Sequence, residues 1–128
     1  MKALKIILSI VVMALIFGGC AYNFIVEEEV IDPTDPDAPE LSFSAEVAPI
    51  FESKCTGCHQ PGGQTPDLTA ANAYSSLTSS GRYVNTSEPA TSLIYTRPNP
   101  SNTDSHMKYS EAEAAKVLTW ITQGAKNN

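Results

Sequence analysis

The sequence predicts a small all-α domain formed by residues 41–128 of the 128-residue chain. Three observations support this fold class. No segment alternates β-branched or aromatic residues with polar ones, as a half-exposed strand does. Short segments with apolar residues three or four positions apart are separated by glycine and proline, as expected for helices joined by loops. The chain ends in a capped amphipathic segment, and a region of this length has room for one core.

The first expected helix starts near Ser44, a residue type that caps helix N-termini. The helical spacing places Val47, Ile50 and Phe51 on one face. Pro49 weakens the start of this helix, so its regular part is expected to begin later in the segment.

Two further helices are expected in the middle of the domain. Thr69 opens one of them, and Gly81 ends it, because glycine favours the left-handed conformation that follows a helix. The other lies near residues 87–95, with Pro89 tolerated in its first turn and Pro98 as its terminator.

The last predicted helix follows an irregular loop at residues 99–109. Ser110 and Glu113 have the spacing of a capping box, in which each side chain bonds the other's backbone N–H. Gly124 is a natural residue just past the helix end. An apolar stripe with a tryptophan at its edge is formed by Ala114, Val117, Leu118, Ile121 and Trp120.

The run Cys55-Thr56-Gly57-Cys58-His59 carries the main functional signal. A C-x-x-C-H run is the attachment signature of a c-type haem. Two thiols three positions apart each form a thioether with one vinyl group of the haem, and the following histidine is the proximal iron ligand. The first expected helix delivers Cys55 and Cys58 to this site.

Two other interpretations of the run remain open at this point. Cys55 and Cys58 have the spacing of a thioredoxin-type redox disulfide, although no βαβ pattern surrounds them. Zinc is the other alternative, with Cys55, Cys58, His59 and His106 as ligands. That set lacks the second closely spaced ligand pair of a zinc finger.

Residues 1–19 are predicted to be a secretory signal peptide, with basic residues at Lys2 and Lys5 before an apolar core. The glycine pair before Cys20 is similar to a lipoprotein cleavage site, at which Cys20 becomes the lipidated first residue. Lipidation also accounts for the third cysteine of the chain. An uncleaved transmembrane anchor that continues to Val26 is the alternative. Both interpretations place the domain outside the cytoplasm, tethered to the periplasmic or cell-surface side of a bacterial membrane.

Residues 20–40 are predicted to be a linker that begins with the lipidated cysteine. Residues 20–40 contain seven acidic residues and no basic residue, and three prolines alternate with the acids, so we expect a disordered, extended chain. Residues 41–128 carry seven acidic and six basic residues, a net charge of −1. The acidic balance of the chain therefore belongs to the tether, and this argues against nucleic acid as a partner.

Further short motifs surround the pentapeptide: Val47 to Phe51 before it, then Pro66-Asp67-Leu68, Met107, Tyr109-Ser110-Glu111, and Trp120 to Ala125. With this pattern the chain resembles a small monohaem cytochrome c over residues 43–126. It is especially similar to exported cytochrome domains that end in tryptophan-isoleucine and glutamine-glycine-alanine runs. The resemblance implies a helical domain wrapped around one covalently bound haem c.

The resemblance also implies a methionine in a late loop as the distal iron ligand, and Met107 has that position. The family often has proline after this methionine, whereas Lys108 and Tyr109 follow here. His106 is the adjacent alternative ligand, and an open distal site is the third possibility.

Weaker expectations concern the surroundings of the haem. As in the family, the Pro66 carbonyl is expected to accept the other ring N–H of His59. Leu68 is expected to pack on the porphyrin, and Trp120 against the first helix near Phe51. Four residues are candidates for bonding the haem propionates: Arg82, Tyr83, Tyr95 and Arg97.

The function that these observations favour is one-electron transfer between redox partner proteins. No catalytic residue and no small-molecule substrate are expected. The alternatives are a haem enzyme or a gas or peroxide sensor with an open distal site, and an accessory haem subunit of a larger redox complex.

Overall fold

The structure, a computed structural model, describes residues 30–128, and in that range it contains helices and turns but no strand. The predicted signal peptide, Cys20 and the alternative N-terminal anchor lie outside the described residues. None of the helices within residues 30–128 has the length and apolar character needed to cross a membrane.

The first helical segment consists of a π-helical turn, Phe43–Val47, followed by helix α1, Ala48–Lys54. Ser42 caps it, and the prediction of Ser44 as the cap is wrong. The Ser42 hydroxyl accepts a hydrogen bond from Ala45 N at 3.2 Å. The backbone N–H and the hydroxyl of Ser44 instead donate to the carbonyl oxygen of Asn128, at the far end of the chain.

Helix α2, Ala73–Thr78, starts four residues later than predicted. The carbonyl oxygen of Thr69 accepts hydrogen bonds from Asn72 N and Ala73 N, which form an isolated turn before the helix. The Thr69 hydroxyl donates to the Asp67 carboxylate at 2.7 Å. Thr69 therefore organises the turn that precedes α2.

The helix predicted near residues 87–95 is split into a 3₁₀ turn, Pro89–Thr91, and helix α3, Leu93–Thr96. The break is at Ser92, whose extended ψ of 129° interrupts the helical path. Ser92 is buried, and its hydroxyl accepts a hydrogen bond from Asn85 N at 2.9 Å. This tertiary hydrogen bond explains why the helix does not continue.

Helix α4, Glu111–Thr122, begins with the predicted capping box. Glu113 N donates to the Ser110 hydroxyl at 3.1 Å, and Ser110 N donates to the Glu113 carboxylate at 2.6 Å. Gly124 follows the helix with φ of 95°, a left-handed conformation that glycine adopts without strain.

The core is centred on Phe43. Its ring centre lies 5.0 Å from that of Trp120, 5.4 Å from that of Tyr74 and 6.4 Å from that of Phe51. Trp120 is 1% exposed and is a core residue. It packs against the first helical segment, as predicted, through Phe43 in the π-helical turn, whose ring also lies near that of Phe51 in α1. Helix α4 also contacts α3, so the last helix joins both halves of the domain.

The described part of the linker, residues 30–40, is less extended than its composition predicts. Asp35 N donates to the Asp32 carbonyl, and Ala38 N donates to the Asp35 carbonyl, which gives two consecutive turns. Glu40 then forms an ion pair with Lys126 at 2.8 Å. The end of the linker thus lies against the C-terminal end of the chain.

Candidate functional site

The Cys55–His59 run begins where α1 ends. Cys55 N donates to Phe51 O at 2.8 Å, which extends the helical path to the first cysteine. Cys58 N and His59 N both donate to Cys55 O, at 3.1 and 2.9 Å. This single turn brings both thiols and the imidazole together, with Cys55 buried and Cys58 exposed.

The loop that follows is folded back on the run by backbone hydrogen bonds. Gln64 N donates to Cys58 O at 2.9 Å, and Gly63 N donates to Gln60 O at 2.8 Å. A Cβ atom on residue 63 would collide with Cys58 O, so the close approach requires glycine at that position.

The His59 ring is oriented by the Pro66 carbonyl, which lies 3.0 Å from Nδ1. Since a carbonyl only accepts hydrogen bonds, Nδ1 carries the proton and Nε2 keeps a free lone pair. This is the contact that the family resemblance implied. It leaves Nε2 of His59 as a metal-ligating atom of fixed orientation.

A cavity of about 210 Å³ opens beside Cys55 and His59. The apolar part of its wall is formed by Leu68, Leu93, Ile94, Pro66 and Pro98. The polar and basic part is formed by Gln64, Thr65, Arg82, Tyr83, Arg97 and His106. Five predicted haem contacts therefore line one space. Tyr95 does not line it and packs against the hydrophobic core.

A second cavity, of about 510 Å³, shares Cys55, His59 and His106 with the first. Cys58 and Met107 line this second cavity only. Across the two adjoining cavities, the structure brings together both thiols, the predicted proximal histidine and both candidates for the distal ligand.

The Cys55 thiol lies in an apolar environment. Burial raises the pKa of this thiol to about 11, Lys54 opposes the effect and Glu113 adds to it. Within residues 30–128, no group of three or more His, Cys, Asp or Glu side chains is placed to hold a metal ion.

Basic side chains lie at the mouth of the first cavity. The Arg82 guanidinium carbon is 5.5 Å from the centre of the Tyr83 ring, and the Tyr83 hydroxyl is 3.4 Å from the Thr65 hydroxyl. Arg97 is largely exposed and lies 3.3 Å from a carboxylate oxygen of Asp104. Both guanidinium groups thus lie beside the first cavity, and that of Arg97 is already paired with a carboxylate.

Sequence reasoning missed Asp104, which organises the loop before α4. One of its carboxylate oxygens accepts hydrogen bonds from Lys108 Nζ at 2.5 Å and from His106 N at 3.0 Å. These contacts, the Lys108 hydrogen bond first, lower the pKa of Asp104. The aspartate two residues before His106 was the available signal, because Asp side chains often bond the backbone two residues on.

The donor set fits a covalently bound haem. It offers two thiols, an imidazole with a free Nε2, an apolar wall and two guanidinium groups. A small helical domain with such a site is of the haem-binding class.

The family model for cytochrome c matches residues 44–125. The chain therefore belongs to the cytochrome c family, and its cofactor is haem c, bound covalently. No curated protein and no solved structure matches the chain. The match agrees with the helical fold. Cys55 follows directly after α1, and α4 lies at the end of the matched segment.

Proposed function

We propose that this cytochrome c is an extracytoplasmic, membrane-tethered one-electron carrier with a single haem and a closed iron site. The family supports haem-based electron transfer. One observation supports an iron with both ligand positions filled. The loop that contains His106 and Met107 places two possible iron ligands at the same two cavities as His59.

In this proposal Cys55 and Cys58 form the two thioether bonds, and His59 Nε2 is the proximal ligand. When bound, the haem supplies a ferric–ferrous couple that takes up and releases one electron. The Pro66 carbonyl holds the His59 ring in one orientation, so that the ligand does not need to reorganise when the charge at the iron changes.

The remaining wall residues tune the site. Leu68 and Ile94 are 2% and 5% exposed, so they exclude water from the inner wall of the cavity. Arg82 and Arg97 are proposed to bond the propionates at the mouth. With haem bound, either His106 or Met107 would supply the second ligand of the iron and would block access by small molecules, which suits electron transfer and opposes peroxide or gas chemistry.

Covalent attachment is tested by the mass of the mature protein after denaturation under reducing conditions. The wild type and Gly57→Ala, a substitution with open space around it, should each retain one haem. The double variant Cys55→Ala/Cys58→Ala should retain none. A wild-type mass without haem would contradict the proposal.

The closed iron is tested by adding carbon monoxide to the ferrous protein. A spectrum that barely changes supports an electron carrier, since both axial positions are then filled. Rapid binding of carbon monoxide would replace this proposal with the enzyme or sensor alternative.

The tether is proposed to be a lipid on Cys20, followed by the acidic linker. The support is the Gly18-Gly19-Cys20 run and the odd cysteine count of an exported haem protein. Cys20→Ser should abolish cleavage after Gly19 and partitioning into detergent. A variant that is still cleaved at that bond and still partitions with detergent would overturn lipidation, and a wild type that keeps residues 1–19 would favour the transmembrane anchor.

A further inference from the structure

We propose that His106, and not Met107, is the sixth ligand of the iron, so that the haem is coordinated by two histidines. This inference rests on the proposed function, because it takes His59 as the proximal ligand. The imidazole rings of His59 and His106 face the same cavity, with their centres 6.1 Å apart.

The separation of the two rings matches what a shared metal requires. Two metal–nitrogen bonds of about 2 Å, together with the half-width of each ring, would put the centres of two imidazoles on opposite sides of one metal roughly 6 Å apart. The ring planes are inclined by 48°. An imidazole that ligates a metal can rotate about its Nε2–metal bond, because the lone pair stays on the line to the metal. An angle of 48° between the two ring planes is therefore compatible with two imidazoles on opposite sides of one metal.

The hydrogen bonds of the two rings are alike. His106 Nδ1 lies 3.1 Å from the Met107 carbonyl oxygen, just as His59 Nδ1 lies 3.0 Å from the Pro66 carbonyl. Each carbonyl fixes the proton on Nδ1, and each ring is left with a free lone pair on Nε2. A ligating histidine almost always has such a partner on its other nitrogen.

The loop presents His106 better than Met107. The Asp104 carboxylate accepts a hydrogen bond from His106 N, and Lys108 holds that carboxylate in place. His106 is half-buried and lines both cavities, whereas Met107 is 59% exposed and lines only the outer one, beside Cys58. In addition, the carbonyl that orients the His106 ring belongs to Met107, so the two residues cooperate in one arrangement.

The experiment compares ferric holoprotein of the wild type with His106→Ala and Met107→Ala, with Ser105→Ala as the matched loop control. Electron paramagnetic resonance and the near-infrared charge-transfer band distinguish two-imidazole from imidazole–thioether coordination. We expect the two-imidazole signature in the wild type, Met107→Ala and Ser105→Ala. In His106→Ala we expect the two-imidazole signature to be lost. If the vacated position stays open, the ferrous form should bind carbon monoxide; if Met107 takes it, thioether ligation should raise the reduction potential.

A sulfur–iron band in the wild type that Met107→Ala removes would overturn the inference, while leaving the closed electron-carrier site intact. An iron that is five-coordinate in the wild type would overturn both. The wild-type spectra decide the ligand even if His106→Ala does not mature. Haem content and far-ultraviolet circular dichroism of each variant show whether the fold is kept.

Discussion

The backbone N–H of Leu41 donates a hydrogen bond to the side-chain oxygen of Gln123, 2.9 Å away. The amide nitrogen of the same glutamine donates to the Pro39 carbonyl, also at 2.9 Å. Gln123 follows directly after α4, so a single side chain joins the segment that enters the domain to the end of the last helix.

Gln123→Ala should lower the free energy of unfolding by about 1–3 kcal/mol, because it leaves the part-buried Leu41 N–H without its acceptor. Hydrogen exchange at Leu41 should accelerate in this variant. Gln60→Ala, at an exposed loop position, is the control and should have little effect on stability. Equal denaturation midpoints for the two variants would show that the hydrogen bonds of Gln123 to residues 39–41 do not contribute to the stability of the domain.

Trp120→Ala should destabilise the domain by about 3–5 kcal/mol, the usual range for truncation of a buried aromatic side chain. Trp120 is 1% exposed, stacks near Phe43 at 5.0 Å and donates from Nε1 to Lys126 O at 2.9 Å. Leu118→Ala, at a half-buried position of the same helix, should cost less. Chemical denaturation followed by circular dichroism measures both, and a smaller loss for Trp120→Ala would contradict the central place of this residue in the core.

Gly63→Ala should destabilise the loop after the Cys55–His59 run, because its Cβ would press on Cys58 O. We expect a loss of about 1–3 kcal/mol, as for other overpacked sites, together with less haem per protein after maturation. Gly57→Ala is the control, since nothing lies within 4 Å of a Cβ there. Haem content by absorbance and stability by denaturation should both separate the two variants; indistinguishable variants would mean that the loop relaxes freely.

Acid should weaken the junction between α1 and α4 through Glu113. Burial raises the pKa of this carboxyl, but the hydrogen bonds from Lys54 and from Ser110 N outweigh burial and lower the pKa below its ordinary value of 4.5. The unfolded chain therefore binds the proton more readily. The contribution of ionised Glu113 to stability is present above pH 4.5 and is lost as the pH falls through the folded pKa.

The measurement is the difference in unfolding free energy between the wild type and Glu113→Gln, followed from neutral to acid pH. The wild type should be more stable than Glu113→Gln at neutral pH, and this difference in unfolding free energy should shrink as the pH falls. When Lys54 is also replaced by Gln, the difference should disappear at a higher pH. An advantage that is independent of pH would exclude an ionised, paired Glu113.

Features that depend on neighbours along the chain were predictable. The capping box at Ser110 and Glu113, the turn residue Gly124 and the cysteine pair with His59 were all identified from spacing, because their interactions span at most four residues. The family was recognisable for the same reason: the pentapeptide is a local chemical signature.

Features that depend on distant partners were not predictable in the same way. Ser44 was predicted as the first cap from residue type alone, but Ser42 accepts the capping hydrogen bond from Ala45 N, and both serine hydroxyls also donate to the distant Asn128 carbonyl. The break in the third predicted helix depends on the contact of Ser92 with Asn85.

The sequence by itself determined the class of cofactor and the helical character of the domain, and it predicted the attachment residues, since these follow from residue types at short spacing. The tertiary structure decided which side chains share the cavity with His59. It placed Arg82, Tyr83 and Arg97 on the cavity wall, left Tyr95 off that wall and packed against the core, and brought the centre of the His106 ring to 6.1 Å from that of His59. Those positions arise from packing and hydrogen bonds between segments far apart in the chain, and local periodicity carries no information about which distant segments will meet.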